Sequence, residues 1–428
     1  MARRMSALPR ISLCLSALVL AHASSASAQT DPATSPIFTL AECYALALKQ
    51  SETIAIKQEV LKETEGRFLQ AFSGILPHVS FSMSEKRQNG SGGSAFTLRE
   101  IPERKFVFTQ PLFSGFKEFA AIAGARAERR QRHDEEARAK QLLFVDVANA
   151  FHLLLEERED LQALETIRAA LMARIDELKD RERLGRSRSS EVVSAESQLR
   201  RIEADLEQAR SQEITARQLL EFLTGYVPLE GLEPDRTTAG PLNAEEDYLK
   251  SASMRSDVRA SEEAWRIAKD QIVVAQSQFW PTVNLQGDRY TKRVGASADV
   301  DWDVLLTVDV PLFQGGKAMG SVRQAAAQAR EARLNFQKTQ REAELEIRNA
   351  HAQFQQALAR MAALKKALEA SEDNYRLQQE DYLHNLVNNL EVLQALQTLE
   401  NTRRDVIHAA HETKRLYWQL QAATGKTF

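Results

Sequence analysis

Two cysteines occur in 428 residues, and one of them, Cys14, lies in an N-terminal stretch that reads as removable. Cys43 is then alone, which excludes an intrachain disulfide framework. It follows Leu40-Ala41-Glu42, away from the apolar stretch and behind an acid, so it is no lipidation site. Long hydrophobic runs are missing too. Ile11 to Leu20 falls well short of the roughly 20 residues a span needs, and nothing later is longer, so transmembrane helices are excluded. Any membrane crossing must use strands. Basic excess is also absent. The formal charge is −3, and removing Arg3, Arg4 and Arg10 takes it to −6, which disfavours nucleic acid as a partner. No proline interrupts residues 117–184 or 317–384, so nothing there breaks a helix.

What is present begins with an address. Residues 1–28 carry a basic start, an apolar middle and Ala26-Ser27-Ala28 as a small-residue cleavage site, the pattern of a secretory signal peptide.

The rest is two copies of one unit. Gln110-Pro111-Leu112-Phe113-Ser114-Gly115-Phe116-Lys117 returns as Val310-Pro311-Leu312-Phe313-Gln314-Gly315-Gly316-Lys317, and the same register matches Asn149-Ala150 to Asn349-Ala350 and Thr224-Gly225 to Thr424-Gly425. A register held that long is a duplication. The first repeat spans 29–225, a Pro- and Gly-rich linker 226–243, and the second repeat 244–428. Each repeat reads as helix, β-hairpin, very long helix, tight tip and return helix.

The hairpins fall at 78–113 and 281–313. Val79, Phe81 and Met83 alternate with Ser80, Ser82 and Ser84, the period-two signature of a strand with one polar face. In the second copy Val304, Leu306, Val308, Val310 and Leu312 share one face, with Leu305 the exception on the other. Apolar–polar strands of about ten residues fit a membrane β-barrel. Pro77 and Pro281 stop the preceding helices, the first expected over 39–75. At 1.5 Å per residue the long helices reach roughly 100 Å. The return helices carry a 3,4 spacing (Val192, Ala195, Leu199, Ile202, Leu206), which is a coiled-coil seam.

The tips lie at 183–191 and 382–391. Gly185 and Asn385 are equivalent and tolerate a left-handed turn, and Ser189 and Asn389 are equivalent candidate N-caps for the return helices. His408, His411 and Glu412 share a helical turn, but their spacing matches no zinc motif and no third ligand is apparent. The Ser91–Ser94 loop lacks the lysine of a phosphate cradle. With no nucleophile–base pair, no cofactor and no metal site, the chain reads as a conduit, not an enzyme.

The tandem repeat, the Pro77 and Pro281 breaks, the two Pro-Leu-Phe-x-Gly motifs and the two tips together resemble the TolC family of outer-membrane efflux proteins over nearly all of the mature chain. The resemblance implies a mainly α fold with a small β part. It also implies a homotrimer, in which four strands per protomer build a shared 12-stranded barrel and coiled-coil helices build a periplasmic α-barrel. Four strands cannot close a barrel alone, which agrees. It implies further that the tips dock a periplasmic adaptor serving an inner-membrane transporter, through Leu184, Gly185, Ser189, Glu191 and Val192 in the first tip and Asn385, Leu386, Asn389, Glu391 and Val392 in the second. Asn385 stands where the family pattern has glycine, and Glu191 and Glu391 where it has aspartate.

A resting duct must be closed at its periplasmic end. Glu372, Asp373, Glu380 and Asp381, with Arg376 as the nearest cation, are the candidate gate, because three-fold symmetry would gather inward-facing acids. The expected function is a passive exit duct for small molecules. A type I protein-secretion duct and a periplasmic coiled-coil scaffold without a barrel stay open as alternatives.

Overall fold

The computed structural model describes residues 37–227, 229, 231–235 and 242–427. The signal peptide expected over 1–28 lies outside these residues, as does part of the 226–243 linker. The body Ile37–Phe428 opens with a short strand β1 (Ile37–Phe38) and helices α1 (Leu40–Gln50) and α2 (Glu52–Ser73). The hairpin β2 (His78–Arg87) and β3 (Glu100–Ser114) follows, then α3 (Lys117–Arg183), α4 (Ser189–Thr224) and β4 (Gly231–Leu232). The second repeat holds α5 (Glu245–Leu249), α6 (Ser256–Gln276), β5 (Thr282–Lys292), β6 (Trp302–Asp309), α7 (Lys317–Leu383) and α8 (Asn389–Ala423).

The four long strands form one antiparallel sheet in the order β2-β3-β5-β6. Register sets the faces. Val79 opposes Phe108, Phe81 opposes Phe106, Leu285 opposes Leu306 and Val283 opposes Val308. Directly opposed residues point the same way, so one face is mainly apolar and exposed in the protomer, with Gln110 beside Leu285 and Arg289 beside Trp302 toward its loop end. The other face carries Lys105 bonded to Asp288 at 2.6 Å and Tyr290 bonded to Asp303 at 2.9 Å. Among the described residues no helix is long and apolar enough to cross a membrane.

The helices keep the order of the strands. In the half near the sheet α2, α3, α6 and α7 lie side by side, and in the far half α4, α3, α8 and α7 do. The long helices α3 and α7 therefore run the full length of this wall, with α2 stacked over α4 and α6 over α8. Each long helix starts from a bend that needs two successive left-handed residues: Gly115 and Phe116 (φ 65° and 66°), and Gly315 and Gly316 (φ 58° and 86°). At Gly115 a Cβ would meet the Ser277 carbonyl and Trp280 at 2.9 Å, so only glycine fits there.

Three expectations need correction. The helix expected over 39–75 is broken at Ser51, whose hydroxyl accepts from Ile54 N and restarts the chain as α2. The matching helix of the second repeat is broken as well, at Arg255, which takes an extended conformation before α6. Val310 and Leu312 do not continue the return strand, because β6 ends at Asp309. Phe113 is paired because β3 lies between two strands, whereas β6 is an edge and Phe313 past its end is 91% exposed.

Candidate functional site

The far ends of both hairpins of helices turn in the same way. Gly185 and Asn385 both adopt positive φ, 69° and 58°, and the amides of Arg186 and Leu386 return to the carbonyls of Arg181 and Asp381. These bonds satisfy the last carbonyls of α3 and α7. Leu184 and Leu386 stand exposed on the turns, while Val192 and Val392 are buried one turn into the return helices. Between the starts of α4 and α8 lies a cleft of about 300 Å³ whose walls include Arg188, Glu191, Ser194, Leu390 and Leu393.

Neither expected N-cap holds. The cap of α8 is Asn388, which accepts from the amides of Leu390 (2.9 Å) and Glu391 (3.2 Å), and the Glu391 carboxylate accepts from Asn388 N at 2.9 Å. This is a reciprocal capping box. A glutamate three residues after Asn388 was the sequence signal that fixes the register. In α4 the cap position is Arg188, whose donor-only side chain makes no capping bond, and the Ser189 hydroxyl one residue on donates to Glu182 at 2.5 Å.

Asn389 has another task. Its Oδ1 accepts from Nε and Nη2 of Arg174 at 3.1 and 2.9 Å, and Arg174 Nη1 donates to Glu177 at 2.6 Å. The same guanidinium lies 4.0 Å from the Tyr382 ring, with Arg181 4.5 Å from that ring. Arg174 and Tyr382 are both buried. This clamp ties α3 of the first hairpin to α7 and α8 of the second. It was missed in the sequence, although Arg174 interrupts an apolar stripe (Leu164, Ile167, Leu171, Ile175, Leu178), where a charge calls for a partner.

The five candidate gate residues are placed on α7, and the protomer itself compensates most of their charge. Arg376 pairs with Asp373 at 3.0 Å and Glu380 at 3.4 Å, and Glu372 pairs with Arg403 of α8 at 3.0 Å. Asp381 has no ion-pair partner among the described residues. The His408, His411 and Glu412 set is dispersed over three separate partners. His408 Nδ1 bonds Glu156 at 2.5 Å, His411 Nε2 lies 3.2 Å from Glu159, and Glu412 pairs with Arg360 at 2.8 Å. The bond to Glu156 raises the His408 pKa. Burial pushes the Glu156 carboxyl up, but the bonds from His408 and Arg415 outweigh it and hold it below the usual range. Among the described residues, no three His, Cys, Asp or Glu side chains are grouped to hold a metal ion.

A sheet with an apolar outer face, continued by helices in the same lateral order and ending in paired helical tips, defines a wall segment of an outer-membrane channel. The chain belongs to the outer membrane efflux protein family, whose family model matches residues 44–226 and 250–426. Its location is accordingly the outer membrane. Among relatives it is 23% identical to the outer membrane efflux protein BepC of Brucella suis biovar 1, over 90% of each chain. It is 21% identical to the outer membrane protein TolC of Vibrio cholerae, over 74% of this chain and 75% of that one. The fold superposes on the outer membrane protein VceC of Vibrio cholerae with a TM-score of 0.79 at 21% identity, covering 90% of this chain and 96% of that one.

Proposed function

We propose that the chain is one protomer of a trimeric exit duct, which docks a periplasmic adaptor and through it an inner-membrane transporter to release small molecules across the outer membrane. One observation carries this reading. The sheet and the helical wall leave their open edges on the same two sides, β2 with α2 and α4 on one flank and β6 with α7 on the other. Two unlike flanks that match each other make a head-to-tail interface, which closes as a ring. Closure is required, since an open strand edge in lipid leaves backbone groups unpaired. Four strands per copy make three copies the smallest ring comfortably above the roughly eight strands of the smallest membrane barrels. Mass measurement in mild detergent is expected to give three chains, and a stable monomer would overturn the proposal.

Docking belongs to the tips in this reading. The cleft between the starts of α4 and α8 is lined in part by the exposed Leu390, and Leu184 and Leu386 stand exposed on the two turns. Gly185→Trp and Asn385→Trp put a bulky side chain on left-handed turns and are expected to abolish export while trimer mass and membrane insertion stay as in the wild type. Export that survives both changes would move docking elsewhere.

The gate is proposed to rest on the Arg174 clamp together with the acids of α7. Arg174→Ala removes two bonds to Asn389 and the stack on Tyr382, leaving buried polar groups unpaired at roughly 1–3 kcal/mol. Single-channel conductance is expected to rise with the trimer intact. Conductance equal to the wild type would show that the clamp only stiffens the wall.

A further inference from the structure

A cavity of about 690 Å³ lies at the joint where α2 stacks over α4 and α6 over α8. The stacked helices are discontinuous there, at Ser51 and at Arg255, and side chains do not fill the gap. Its apolar lining comes from Ile54 of α2, Ala139 and Leu142 of α3, and Ala260 and Ala264 of α6. The charges around it are unequal: Lys57 and Arg138 against Glu135, Asp146 and Asp257. Four of these five are matched. Lys57 pairs with Glu135 at 3.3 Å, Arg138 with Glu346 at 3.1 Å, and Asp257 with Arg255 at 2.6 Å. Asp146 has no hydrogen-bond or ion-pair partner among the described residues, and partial burial raises its pKa.

The cavity lies on the face of α3 turned away from α1. Phe144, Ala148 and Phe151 of α3 pack against α1. At 100° per residue, Glu135, Leu142 and Asp146 project from the opposite side of α3. In the proposed duct, with α1 and its neighbouring strand pair on the outer face of the wall, the cavity faces the lumen.

We propose that this cavity is a binding site for an organic monocation with a bulky apolar body, the body held by Leu142, Ile54 and the alanines and the charge by Asp146. The volume is that of an ordinary small-molecule site, which is mostly apolar with a few placed polar groups. The chemistry is complementary, because an apolar cation answers the one lining charge left unmatched among the described residues and loses little hydration on entry. The access route through the lumen rests on the duct reading, whereas binding rests on the cavity alone.

Tetraphenylphosphonium and tetraphenylborate have the same shape and opposite charge, and they separate the two terms. Equilibrium dialysis of the detergent-solubilised protein, against micelles without protein, is expected to show saturable uptake of the phosphonium and none of the borate. Asp146→Asn is expected to weaken phosphonium binding about fivefold, the upper end for a part-exposed ion pair. Ala264→Phe, which fills the cavity and keeps the charge, is expected to abolish it. Equal uptake of both ions, or unchanged phosphonium binding in Asp146→Asn, overturns the proposal and assigns uptake to apolar surface. Bilayer conductance is measured on the same preparations. Channels that conduct without binding the phosphonium refute the site and leave the duct standing, and binding without channels does the reverse.

Discussion

Replacing Leu306 by arginine is expected to stop the protein from assembling in the outer membrane. Leu306 stands in the middle of β6, opposite Leu285 and between Val304 and Val308 on the apolar face, and it is 56% exposed in the protomer. A large apolar side chain left that open on a mainly apolar face needs a non-aqueous neighbour. Arginine near the midplane of a barrel costs roughly 2–4 kcal/mol, and a trimer would carry the change three times. Thr307→Arg is the control, since Thr307 points to the polar face with Asn284 opposite it. The detergent-extractable outer-membrane fraction is expected to lose the Leu306 variant and keep the Thr307 variant. Equal recovery of the two would mean that lipid does not contact this face.

The parts of the fold that could be read in the sequence are those set by local periodicity. Alternation at Val79, Phe81 and Met83 specifies a strand with one wet face, and a proline-free 3.6-residue pattern specifies a helix, whatever lies around them. The repeat helped further, since Gly185 and Asn385 mark the same turn twice. What escaped depends on distant residues. The breaks before α2 and α6 turn on a serine cap and on Arg255, which is buried and reaches Asp257, Glu346 and the Ala423 carbonyl. Asn389 reads as a cap because it stands where Ser189 stands in the first tip, and only its bond to Arg174, 215 residues away, assigns it to the clamp. The end of β6 at Asp309 follows from its edge position, which no single-chain pattern carries.

Glu400 is expected to make stability fall as pH rises from about 4.5 to 7. It lies on α8, 4% exposed, and has no hydrogen-bond partner among the described residues. Arg404, one turn along, is held by Asp160 of α3 through bonds of 2.7 and 2.9 Å. Burial pushes the Glu400 carboxyl up to about 7; Arg404 opposes the shift, and Asp205 of α4 and Asp160 add to it. The folded pKa is thus above the unfolded value near 4.5, so the folded state holds the proton more tightly. Below pH 4.5 both states are protonated and the residue has no ionisation penalty. Between 4.5 and 7 the unfolded chain ionises first, and above 7 the full penalty applies, at most roughly 3 kcal/mol per protomer and less where water still reaches the carboxyl. Glu400→Gln removes the ionisation while keeping the shape. Thermal unfolding in detergent is expected to give the variant a higher midpoint than wild type at pH 8, relative to their difference at pH 4.5. A buried amide without partners lowers both variant midpoints by a similar amount, so the test is the change between the two pH values. Parallel pH profiles for the two proteins would mean that Glu400 reaches water or a cation in the assembled wall.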